Sequence, residues 1–236
     1  MDAFSVLDNA KSIISIERSN KAIPCLDGIR VLNTIMIFLA HKGTVLNYNS
    51  LTNRRHMNEI GIKVFTIPAR ASFIITDLFF LLSGLLVSYS IIGKLQRNQK
   101  ISIFKEIASR YFRYMPPMAA LIIFATFILP KLGSGPQWNL MITYQSDLCR
   151  AYSWRNILMI HNWFGFENIC MTHLHHIETE FTLFVVGIFL VIFLFKFPKS
   201  GTVLIITLVL LISCRNFIVV FRSDSNLYIA PSLEWV

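Results

Sequence analysis

Five stretches of this chain, at about residues 26–46, 71–92, 114–130, 174–195 and 202–221, are long runs dominated by Leu, Ile, Val and Phe. A helix rises about 1.5 Å per residue, so roughly 20 such residues cross a hydrocarbon core about 30 Å thick. The first run is interrupted by Arg30, Asn33, His41 and Lys42, and the second holds one acid, Asp77. The third is short and opens with Pro116 and Pro117, a pair suited to a helix's first turn, where their missing N–H groups have no intrahelical partner anyway. Glu178 and Glu180 stand near the start of the fourth, and Arg215 lies within the fifth. Only 15% of the 236 residues are charged, against about 25% in soluble domains. The expected fold class is an all-α integral membrane protein with about five transmembrane helices.

The loops set the expected orientation. Between the second and third spans Lys94, Arg97, Lys100, Lys105, Arg110 and Arg113 face a single acid, Glu106, and an excess of this kind marks a cytoplasmic loop. The N-terminus is then cytoplasmic, and the Lys196–Lys199 turn between the last two spans falls on the same side. Arg54, Arg55 and Lys63 run against this reading without outweighing it. Residues 1–25 lack the apolar core of a secretory signal. Apolar positions at helical spacing there, such as Phe4, Leu7 and Ile14, fit an interfacial amphipathic segment on the cytoplasmic side, ahead of a single transmembrane domain at 26–236. A net charge of +9 could serve nucleic acid, but the basic residues lie between apolar runs, where they meet lipid headgroups. No nucleic-acid partner is expected; the partners are membrane lipids, in the plasma membrane or the endoplasmic reticulum.

The long connection from Lys131 to His173 falls on the lumenal or extracellular side. It contains Cys149 and Cys170, 21 residues apart. An oxidising compartment favours a disulfide between them, worth roughly 3 kcal/mol by loop-closure entropy; the alternative is two free thiols. Cys25 and Cys214 read as packed thiols, and no cysteine spacing points to a metal.

Ionisable groups inside spans are costly and mark pathways or catalytic positions. Arg30 and His41 are eleven residues apart, about 20° beyond three helical turns, so they share a face with a rise of about 16 Å between them. His41 reads either as functional or as an interfacial histidine beside Lys42. Asp77 reads either as a structural salt-bridge partner or as a functional acid. In the run His173 to Glu180, His173, His176 and Glu180 share one face and His175 and Glu178 another. Zinc ligation is conceivable there, but the pattern is no established ligand set, and a proton-handling Glu180 is the better reading. Arg110 and Arg113, three apart at the membrane edge, suit either phosphate binding or headgroup anchoring.

Taken together these motifs resemble a known family. Leu26-Asp27-Gly28-Ile29-Arg30 followed by His41 is similar to the first span of acyltransferase-3 proteins, in which a histidine is regarded as catalytic. Thr76 to Gly84 resembles their DxFFxLSG second span, and Arg110-Tyr111-Phe112-Arg113-Tyr114-Met115-Pro116 their RRxxRLxP element. The Cys149, Trp154, Asn156 and Cys170 pattern is similar to the nose-resistant-to-fluoxetine branch. Two features depart from the family. Its WYLxxDxQ-like segment aligns with His175 to Thr182, which keeps the acid as Glu180 but not the tryptophan or glutamine. Its domain has roughly ten spans, of which this chain supplies about five, so an incomplete domain is expected.

The resemblance implies an O-acyltransferase that moves an acyl group from a cytoplasmic acyl-CoA to a hydroxyl of a lipid, sugar or other acceptor. His41 is then the general base, Asp77 or Glu180 orients or charges its imidazole, and Arg30, Arg110 and Arg113 hold the donor phosphates. No metal is implied. Two alternatives stand beside it: a non-enzymatic transporter or binder of lipids and xenobiotics, and an inactive truncated relative.

Overall fold

The computed structural model describes residues 24–48, 53, 55–56, 59–60, 63–67, 72–165 and 168–222, with a few isolated positions before residue 16. Most of the expected amphipathic segment at 1–25 lies outside the described residues. Helices account for nearly all of the structure, and no strand occurs among the described residues. Six are used below: α1 (Pro24–Tyr48), α2 (Ser72–Gln96), α3 (Ile103–Ile123), α4 (Tyr144–Ile157), α5 (His175–Lys196) and α6 (Pro198–Arg222). The chain parts into two compact units, Met1–Leu82 and Ser83–Val236.

Among the described residues, four helical stretches are long and apolar enough to cross a membrane: Thr76–Gln96, Ile103–Lys131, Thr172–Lys196 and Pro198–Val219. The first expected span does form a 25-residue helix, α1. Asp27, Arg30, Asn33, His41 and Lys42 interrupt its apolar run. In the first unit Leu26 and Asn33 are buried on α1, seven residues and so about two turns apart.

In the second unit α2 stops at a left-handed residue. Asn98 has φ 52°, and the N–H of Gln99 reaches back to the carbonyl of Lys94 at 3.0 Å, closing the last turn as helix C-termini commonly do. Lys94 Nζ then pairs with Glu106 Oε1 at 2.5 Å, tying the end of α2 to the first turn of α3.

The third span differs from expectation. It begins at Ile103, well before the apolar run, so Pro116 and Pro117 lie inside α3 and not in its first turn. Their absent N–H groups release the carbonyls of Phe112 and Arg113 from the i−4 ladder. The helix nevertheless continues through a π-turn at Phe124–Ile128 and a 3₁₀ turn at Leu129–Lys131. Packing accounts for the continuity. Met118, Ile122, Ala125 and Thr126 are all buried, at spacings that form one stripe, and Ser146 Oγ donates to the Thr126 carbonyl at 2.7 Å within the π-turn.

Cys149 and Cys170 form a disulfide, which closes the expected loop. Around it Met118, Ile122, Met159 and Leu174 make the buried core, flanked by Tyr111, Tyr114, Met115, Ile177 and Phe181. Gln145 Nε2 donates to the carbonyls of Ile169, at 2.9 Å, and Cys170. The bridge therefore fixes α4 against the start of α5.

α5 and α6 form a hairpin. Pro198 opens α6, as suits a first helical position. At Gly201 the backbones come too close for a side chain, since a Cβ there would lie 2.7 Å from Leu194 Cα. Beyond this turn α6 exposes apolar residues on many sides, Val203, Ile206, Val209, Leu210 and Phe217 among them. A helix with such a surface requires lipid or protein around it.

Candidate functional site

The densest polar arrangement in the second unit centres on Arg110. Helix α3 carries Arg110 and Tyr114 four residues apart, and α5 carries Glu180 and Phe184 at the same spacing, so each helix offers two side chains on one face. Arg110 Nη2 donates to Glu180 Oε1 at 2.5 Å and to Ser83 Oγ of α2 at 2.5 Å. Its Nε donates to the Tyr114 hydroxyl at 3.2 Å, and that hydroxyl donates to Glu180 Oε1 at 2.9 Å. The Phe184 ring covers the guanidinium at 4.3 Å. The two charged side chains are 18% and 25% exposed. Enclosure of this order strengthens their attraction and makes loss of either partner costly.

A second polar group lies nearby in sequence but faces elsewhere. Glu178 is fully buried and its Oε1 accepts from Asn156 Nδ2 at 2.7 Å. Asn156 sits seven residues after Cys149, about two turns along the same face of α4, so the disulfide that fixes one fixes the other. Glu178 and Glu180 are separated by about 200° around α5, which sends one carboxyl to α4 and the other to α3. His161 is also fully buried, in the 3₁₀ turn His161–Phe164. Burial, reinforced by the nearby Arg155 charge, holds its imidazole below the ordinary range, against the opposing backbone carbonyl of Gly165.

The residues expected from sequence fall into separate groups. Arg110 and Glu180 come together. Arg113, on the same helix, is exposed, so the two arginines do not form a common fork: α5 meets α3 at Arg110, and Arg113, about 60° further round the helix, falls beyond that contact. Arg30, His41 and Asp77 belong to the first unit. There Arg30 pairs with Asp27 at 3.6 Å along α1, while the His41 and Asp77 side chains are exposed. The His175 and His176 rings lie against each other at a tilt of 37° with centroids 4.0 Å apart, and His175 Nδ1 contacts the Thr172 carbonyl. Among the described residues no three His, Cys, Asp or Glu side chains converge as a metal-binding group.

The sequence assigned no individual role to Ser83, Tyr114, Phe184, Asn156 or His161, although Tyr114 and Asn156 fall within the family motifs. The i+4 spacing of Tyr114 from Arg110 and of Phe184 from Glu180 was a usable signal for two of them. Nothing local marks Asn156 as the partner of a glutamate on another helix.

These features define a polytopic helical membrane protein with an arginine–glutamate pair enclosed between its spans and a disulfide-fixed connection. The chain belongs to the acyltransferase-3 family, whose model, described as an acyltransferase domain, matches residues 23–231. Among curated proteins it is similar to Nose resistant to fluoxetine protein 6 of Caenorhabditis elegans, with 24% identity over 237 residues. That alignment covers 92% of this chain and 28% of the nematode protein, so the chain spans about 28% of its relative's length. No solved structure matches.

Proposed function

We propose that this chain is part of a membrane O-acyltransferase that transfers an acyl group from acyl-CoA, bound from the cytoplasmic side, to a hydroxyl of a lipid, sugar or other acceptor. The observation that carries this reading is the Arg110–Tyr114–Glu180 network inside two spanning helices of an acyltransferase-3 family member. A charged pair is kept at such a depth where it lines or organises a reaction path.

The imidazole of His41 takes the proton of the acceptor hydroxyl as that oxygen attacks the thioester carbonyl. The carbon–sulfur bond then breaks, and the CoA thiolate leaves with the proton returned by the imidazolium. Glu180 already accepts from Arg110 and Tyr114, so orientation of the imidazole is assigned to Asp77. Arg113, exposed on the strongly basic side, is the better phosphate anchor of its pair, and Arg30 keeps its own assignment to donor phosphate on α1. Arg110 acts as a positioning residue between α2, α3 and α5. The N-terminus is assigned to the cytoplasm, in the plasma membrane or endoplasmic reticulum.

The test is acyl transfer from radiolabelled acyl-CoA by the full chain in nanodiscs. His41→Ala should lower the rate by about 10² to 10⁴, as loss of a general base does, with insertion and abundance unchanged. A fall of less than threefold would remove His41 as the base. If the unaltered chain transfers nothing but takes up lipid or drug, a transporter replaces the enzyme in this reading.

A further inference from the structure

Helix α4 exposes apolar side chains around its last turn. Its buried positions are Ser146, Cys149 and Asn156, whereas Trp154, Ile157 and Leu158, which share a face at i, i+3 and i+4, are exposed. The surface continues past its end: Trp154 is 47% exposed, Trp163 76% and Phe164 49%. The Trp154 and Phe164 rings meet edge to face with centroids 6.1 Å apart. Arg155 lies against the same rings, its guanidinium carbon 4.4 Å from the centroids of Tyr152 and Phe164 and 5.5 Å from that of Trp154. The result is one apolar, aromatic patch carrying a cation.

We propose that this patch seats in the headgroup layer of the bilayer leaflet at its end of the spans, with Trp154, Trp163 and Phe164 inserted and Arg155 meeting lipid phosphate. Continuity with the spans locates it. Asn162 Nδ2 donates to the His175 carbonyl at 3.0 Å and to Thr179 Oγ1 at 2.8 Å, so Trp163 and Phe164 emerge beside the first turns of a membrane-crossing helix. The patch end of α4 is held to α3 as well, where the Tyr111 hydroxyl donates to the Ile157 carbonyl at 2.9 Å, and the disulfide keeps α4 from lifting away. The chemistry agrees with the place. Tryptophan and tyrosine collect at the membrane–water boundary, where an apolar ring and a polar edge are both accommodated. An arginine stem lies along apolar surface while its planar head reaches phosphate. Asp147 and Arg150, which pair at 3.7 Å, lie one to two turns back from Trp154 on the same face of α4, so that face turns from charged to aromatic toward the helix end and its charged stretch can face water.

The experiment uses the full chain in phosphatidylcholine nanodiscs and two variants retaining a single tryptophan. One keeps Trp163 (Trp138→Phe, Trp154→Phe, Trp235→Phe) and the other keeps Trp154. Their emission should be quenched at least twofold more by lipid brominated at carbons 6 and 7 than by lipid brominated at carbons 11 and 12, and only weakly by aqueous iodide. Adding Arg155→Glu to the Trp163 variant should at least halve the shallow quenching, while peptide mapping still recovers Cys149 linked to Cys170. Strong iodide quenching with no response to brominated lipid would overturn the proposal. So would protection from both quenchers, which would mean that protein covers the patch. Unchanged lipid quenching in the Arg155→Glu variant would remove the arginine from it.

Discussion

The pair of Arg110 and Glu180 can be weighed by a double-mutant cycle. Glu180 Oε1 accepts two hydrogen bonds, from Arg110 at 2.5 Å and from Tyr114 at 2.9 Å. Replacing Glu180 by Ala leaves the guanidinium with Ser83, Tyr114 and the Phe184 ring but without a counter-charge. Breaking a fully buried pair costs about 3–5 kcal/mol, whereas an exposed pair is worth about 0–1 kcal/mol. With side-chain exposures of 18% and 25%, the expected loss for Glu180→Ala is about 2–3 kcal/mol, between those limits. Glu180→Gln keeps an acceptor oxygen and loses the charge, and since charge-assisted bonds are about twice as strong as neutral ones, it should lose roughly half as much. Arg110→Met alone should cost a similar amount to Glu180→Ala, because it strands the carboxylate. The double variant Arg110→Met with Glu180→Ala should be less destabilised than the sum of the two by at least about 1.5 kcal/mol. Reversible unfolding in mixed detergent micelles, followed by far-ultraviolet circular dichroism, measures all four corners. A coupling below about 0.5 kcal/mol, the size of an exposed pair, would refute the enclosure argued from the geometry.

Three further outcomes are expected. Replacing Cys149 by Ser should cost about 3 kcal/mol for a crosslink between residues 21 apart, seen as a lower unfolding midpoint that reductant reproduces in the unaltered chain; a midpoint insensitive to both would contradict it. His161 binds its proton more weakly when folded than its ordinary value of 6.5, so protonation favours the unfolded chain. Its contribution is complete above about pH 6.5 and is lost as pH falls from there toward the lowered folded value, and His161→Gln should flatten that part of a thermal-melt pH series. For the proposed orientation, a glycosylation acceptor introduced near Ser134 should be modified in microsomes and one near Gln99 should not. Modification at Gln99 alone would reverse the topology.

Hydropathy is a local property, so the sequence by itself placed spans at about 71–92, 174–195 and 202–221, within a few residues of the helices at Thr76–Gln96, Thr172–Lys196 and Pro198–Val219, and the motifs around Arg30, Asp77 and Arg110 carried the family. The pairing of Cys149 with Cys170 was also legible, because both lie in one long connection and the other two cysteines do not. The third span was only half legible: prolines usually mark helix starts, but burial of Met118, Ile122, Ala125 and Thr126 held a continuous helix across Pro116 and Pro117. Helical spacing shows that Glu178 and Glu180 diverge by about 200°, yet it cannot name what each one meets. Only the tertiary structure decided that Glu178 is buried against Asn156 and Glu180 against Arg110, and that Arg113 is left outside. Each of those outcomes depends on which helix approaches which face, and contacts between helices dozens of residues apart are fixed by packing rather than by any local pattern.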